Sequence, residues 1–128
     1  MNLVHIEQPT DYSCAPTVAA MYLGVSLEEA MRAMPDKKTG TETKALIAFL
    51  RAHGVKCQGK LTSAHRRALP RVAIVRIVWP DKKGHFVLKH DRTWLDPAMP
   101  GPFAGVAPAD RKWSNGGRIT SYLELPDG

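Results

Sequence analysis

The eight residues Val72 to Trp79, VAIVRIVW, form a nearly continuous apolar run interrupted only by Arg76. A run of this length, rich in β-branched side chains and closed by Pro80 and Asp81, reads as a β-strand. Four other segments read the same way: Val55 to Leu61, His85 to His90, Thr93 to Asp96 and Arg118 to Leu125. The connectors WPDKKGH and DPAMPGPFAG carry the Pro and Gly of turns and loops. Pro108 to Trp113 reads as a helical turn.

The first half of the chain follows a different period. After Cys14, Ala15, Val18, Ala19 and Tyr22 fall at the i, i+3, i+4, i+7 spacing of one helical face, and Gly24 stands where a C′ glycine ends a helix. Ser26-Leu27-Glu28-Glu29 is a capping box opening a short second helix toward Met34, stopped by Pro35. Thr39 and Glu42 form another box, after which Leu46, Phe49, Leu50 and His53 make a stripe that Gly54 terminates. Helices first and strands afterwards predict an α+β fold, an N-terminal helical layer packed on a C-terminal antiparallel sheet.

The chain has 128 residues and no internal repeat or dividing linker, so a single domain over 1-128 is expected. No apolar run approaches the ~20 residues of a membrane span. MNLVHIEQ has neither the charged start nor the apolar middle of a signal peptide, which points to a cytoplasmic protein. Two cysteines, Cys14 and Cys57, are too few for a disulfide framework and are read as free thiols. Alternation puts Val55 and Cys57 on one strand face, so Cys57 reads as core. The net charge of +6 comes from scattered pairs such as Lys37-Lys38, Arg66-Arg67 and Lys82-Lys83. These do not interleave with the aromatic residues, so a solvated surface is expected rather than a nucleic-acid face.

Cys14 sits at the entrance of its helix's apolar stripe, beside Asp11, Ser13 and Pro16. A thiol at a helix N-terminus feels the positive end of the dipole and unpaired backbone N–H groups, both of which favour thiolate over thiol. A nucleophilic thiolate needs a histidine partner and donors for an oxyanion. Gln8, on the loop running past the cysteine, and the backbone N–H of Cys14 are candidates for the donors. Five histidines compete for the base. His5 precedes the motif on a short apolar segment, His53 lies on a helical stripe and His65 lies among arginines. His85 and His90 are five apart on one strand and face opposite sides, and His85 follows Gly84 at a loop-to-strand junction. If HFVLKH and TWLD form a hairpin through Asp91-Arg92, Val87 lies opposite Asp96, and His85 and Asp96 become diagonal neighbours on one face. Taken alone, Asp96-Pro97 reads as a turn opener; with His85 across the hairpin it reads as the carboxylate that orients the imidazole.

The set QPTDYSCAPTVAAMYLG, GHFVLKH and WLDP resembles the C39 and C39-like branch of the papain-like cysteine peptidases. The resemblance implies a papain-like fold with Gln8 as oxyanion donor, Cys14 as nucleophile, His85 as base and Asp96 as the orienting carboxylate. It implies no cofactor and no metal. The implied activity is hydrolysis of a peptide or isopeptide amide through a thioester acyl-enzyme, on a peptide or protein substrate. A peptidoglycan amidase or transpeptidase using the same residues, and a non-catalytic pseudo-peptidase acting as a binding module, are the alternatives. Members of that branch usually carry Gly directly after the cysteine, where this chain has Ala15. A helical residue at that position accepts alanine readily.

Overall fold

The computed structural model describes residues 3–35, 43–65, 67–104, 113 and 116–127. Three helices come first, α1 Cys14–Leu23, α2 Leu27–Ala33 and α3 Thr43–Ala52. Strands follow: β1 Thr62–Ser63, β2 Val72–Val78, β3 Gly84–His90, β4 Thr93–Leu95, β5 Phe103–Ala104 and β6 Arg118–Glu124. They form one six-stranded sheet in the order β1-β6-β2-β3-β4-β5, with every neighbouring pair antiparallel. The expected α+β arrangement is what the chain adopts. No helix among the described residues is long and apolar enough to cross a membrane.

The helix boundaries follow from their end residues. Gly24 takes the left-handed conformation (φ 74°) and its N–H reaches Ala20 O at 2.9 Å, closing α1. Ser26 Oγ accepts from the Glu29 N–H at 3.1 Å, which is the capping bond that the sequence predicts for α2. α1 buries every residue from Ala15 to Tyr22, a wider surface than the single stripe expected from its spacing. A helix that is small and apolar all round belongs in the middle of a core. It shares one buried cluster with Leu46, Leu50, Val72, Ile74, Phe86, Leu88 and Leu123.

The unbroken apolar character of β2 has a direct cause. Val72 and Ile74 enter the helical core, whereas Ala73, Val75 and Ile77 join Val87, Trp94, Ile119 and Tyr122 in a second cluster. A strand covered on both faces cannot alternate polar and apolar residues.

Three expectations need correction. Residues 55–61 are not a strand; Val55 and Cys57 do turn the same way, half-buried against the helical core, but Cys57 O accepts from Arg51 Nη2 at 2.7 Å instead of a strand partner. The loop DPAMPGPFAG contains β5, whose two residues pair with Thr93 and Trp94; a two-residue strand is set by its partner and has no period of its own. His53 is exposed rather than part of the stripe, with its ring 4.6 Å from that of Phe49. The expected Thr39–Glu42 box and most of the 108–113 turn lie outside the described residues.

Candidate active site

Local chain geometry places Cys14 first. The N-cap of α1 is Ser13, fully buried, whose hydroxyl closes a turn with Thr10: it donates to Thr10 O at 3.0 Å and accepts from Thr10 N at 3.2 Å. Ser13 O in turn accepts from Thr17 Oγ1 at 2.7 Å. This latch fixes how the chain enters the helix, and Cys14 is the first residue past it, half-buried and not in a disulfide. The first N–H groups of a helix have no acceptor within it, so the thiol lies where these dipoles converge. Ala15 is helical and buried; its backbone lies in the ordinary helical region, and alanine costs nothing there.

Sheet register supplies the second half. β3 and β4 join through Asp91-Arg92 with His90 opposite Thr93, Lys89 opposite Trp94 and Leu88 opposite Leu95. The next step of that register sets Val87 against Asp96, the pairing expected for a two-residue connection. Asp91 occupies the left-handed region (φ 55°), which Asp tolerates in turns. His85 Nε2 and Asp96 Oδ1 are then 2.6 Å apart, with side chains 12% and 6% exposed. Asp96 is also a turn opener: its Oδ1 accepts from Ala98 N at 2.9 Å and its carbonyl from Met99 N at 3.0 Å. The two readings of Asp96-Pro97 are therefore one structure, because the turn holds the carboxylate that holds the imidazole.

The electrostatics follow from this geometry. Burial opposes charge on His85, but hydrogen bonds to Asp96 and Cys14, together with the negative charge of both, outweigh it. The imidazole pKa is pushed up to about 9. With Nε2 committed to Asp96, Nδ1 is the ring nitrogen left for the thiol.

Gln8 lies on the approach to the helix. Its N–H donates to Pro97 O at 2.7 Å and its Nε2 to Thr10 O at 2.7 Å; its Oε1 is buried without a partner. Gln8, His85 and Asp96 all line a cleft of about 690 Å³, together with Asp11, Trp79 and Trp113. Among the described residues no group of three or more His, Cys, Asp or Glu side chains is disposed to hold a metal ion.

The structure thus brings together Gln8, His85 and Asp96 in one cleft, and the Cys14 thiol acts on the His85 imidazole from the start of α1. Two other histidines stand apart: His65 is exposed, and His90 faces Asp91 and Asp127 at the other end of β3. The aromatic walls were not foreseen. Trp79 stands 6.2 Å from His85, ring centre to ring centre, and its position comes from the β2–β3 register rather than from any sequence signal. Its indole is pressed against Gly117, where a Cβ would come within 2.8 Å of Trp79 Cε2.

No family model matches the chain, and no curated protein matches it. Among solved structures, it is similar to a double glycine motif protease from an AMS/PCAT transporter, crystallised in complex with the leader peptide. That similarity has a TM-score of 0.71 at 18% sequence identity and covers 97% of this chain and 91% of the protease chain. The chain has the α+β fold of that protease, the papain-like architecture that the sequence resemblance implies.

Proposed function

We propose that the protein is a cysteine peptidase that cleaves a peptide or isopeptide amide. The observation that carries this reading is the buried His85–Asp96 contact of 2.6 Å, on an imidazole whose pKa the Cys14 thiol also helps to raise. An imidazolium stabilised up to about pH 9 is the counter-ion a thiolate requires at neutral pH. The fold shared with a protease solved on a leader peptide supports a peptide as substrate.

In this reading Cys14 Sγ attacks the amide carbonyl carbon, forming a C–S bond and an oxyanion. The Cys14 N–H at the helix start and the second amide N–H of Gln8 hold the oxyanion. Collapse breaks the C–N bond, and the leaving amine takes its proton from His85 Nδ1. A water then gives a proton to the neutral imidazole and attacks the thioester. The acid departs and the thiolate–imidazolium pair is restored. Asp96 keeps Nε2 protonated and fixes the ring plane throughout.

The test is the rate of Cys14 alkylation by iodoacetamide from pH 4 to 9, followed by mass, in wild type and His85→Ala. Rapid labelling at pH 6 that slows tenfold or more without His85 is expected, on the order of a general-base contribution. Labelling that rises only near the ordinary thiol range of about 8.5, indifferent to His85, would sink the peptidase reading in favour of a non-catalytic binding module.

A further inference from the structure

Residues 3–8 touch two parts of the site that are far apart in sequence. On one side Leu3 and Ile6 pack against the helical core, and Ile6 N donates to Met21 Sδ of α1 at 3.1 Å. On the other side Gln8 N donates to Pro97 O and His5 Nε2 donates to Met99 O, each at 2.7 Å. Those two carbonyls belong to the turn opened by Asp96, in which Ala98 N holds the carboxylate oxygen that also meets His85.

His5 is half-buried, and its Nδ1 is shielded from solvent with no hydrogen-bond partner among the described residues. An unpaired buried acceptor costs roughly 1–3 kcal/mol, so this ring is kept in place against a penalty. Its one hydrogen bond spans 94 residues of chain.

We propose that residues 3–8 are a strap that sets the spacing between the Cys14 helix and the Asp96 turn, with His5 as a positioning residue for the His85–Asp96 pair. The inference rests on the reading of Cys14, His85 and Asp96 as the reacting groups. Releasing Met99 O lets the 96–99 turn drift, the carboxylate moves with the Ala98 N–H that holds it, and the imidazole follows the carboxylate. A displacement of an ångström among reacting groups is worth up to about 10²-fold in rate.

Two readouts on the full chain test the strap, in His5→Ala and His5→Gln. The first is Cys14 alkylation at pH 6 in a Cys57→Ser background. The second is the low-field proton NMR signal of His85 Nε2–H held by Asp96. His5→Ala is expected to slow alkylation about tenfold, as supporting contacts one step from a reacting group do, and to broaden the proton signal through faster solvent exchange. His5→Gln, whose side-chain N–H can reach Met99 O, is expected to restore both. If His5→Ala does not fold, His5→Leu keeps the bulk without the donor and carries the same expectation. Wild-type alkylation and an unchanged proton signal in the donor-less variant would overturn the strap whatever happens to Tm, and leave the peptidase reading standing. If wild-type labelling is itself indifferent to His85, the peptidase reading falls and the proton signal alone decides: lost in His5→Ala and kept in His5→Gln supports the strap, and unchanged in both overturns it.

Discussion

The two ends of β3 each present a histidine to carboxylates, with different results. At the start of the strand His85 meets one carboxylate, Asp96, at 2.6 Å in a site where both side chains are nearly closed to water. At its end His90 lies 3.9 Å from Asp91 and 3.7 Å from Asp127, carboxylates that are 47% and 37% exposed and already bound by Arg71. Unit charges about 4 Å apart in water attract by only about 1 kcal/mol, and salt reduces that further. Both ends pair a histidine with aspartate, and the nearer in sequence, His90 beside Asp91, makes the longer contact. Contact distance and exclusion of solvent separate a group with altered chemistry from a tether that fastens the C-terminal segment to a hairpin.

Replacing the carboxylates one at a time breaks this comparison most directly. Asp96→Asn should lower Cys14 alkylation at pH 6 on the order of 10²-fold, because the amide supplies no charge to hold the imidazolium. Asp91→Asn, measured in parallel, should leave labelling unaltered.

A smaller effect appears in the pH dependence of stability. The folded-state pKa of His85 lies near 9, above its ordinary 6.5. Its contribution is therefore fully present below about pH 6.5 and is lost as pH rises through about 9. Urea unfolding of His85→Gln between pH 6 and 10 should lack the decline that wild type shows in that window. Smallest of all, His90→Gln should change stability by less than about 1 kcal/mol, because the half-buried ring meets two exposed carboxylates only at 3.7 and 3.9 Å, with no change in alkylation. A larger loss by urea unfolding would mean that the tether holds the fold together.

Much of this site was legible because it depends on local rules. The position of Cys14 follows from where an apolar helix starts, and Gly24 and Ser26 mark boundaries through chemistry confined to one turn. The His85–Asp96 contact could be read because a two-residue hairpin fixes register, and register fixes which residues share a face. What could not be read depends on partners far along the chain. Trp79 becomes a cleft wall only when β2 pairs with both β3 and β6. β5 exists because β4 is there to receive it. Residues 55–61 alternate as a strand would, yet alternation reports burial on one side and says nothing of a hydrogen-bonding neighbour. His5 precedes the motif, and its bond to Met99 O has no signature shorter than 94 residues.

The close approach of Gly117 to the Trp79 indole has a consequence for mutational surveys. Any side chain at position 117 needs space that Trp79 Cε2 and Nε1, at 2.8 and 2.9 Å, already fill. The indole would have to swing, and the cleft opposite His85 would change shape with it. A survey scored on Cys14 alkylation would mark position 117 as sensitive although it carries no side chain, whereas Gly101, with no described atom within 4 Å of its Cβ direction, would accept substitution quietly. Sensitivity at 117 is thus a fingerprint of the wall's shape, transmitted through bare backbone.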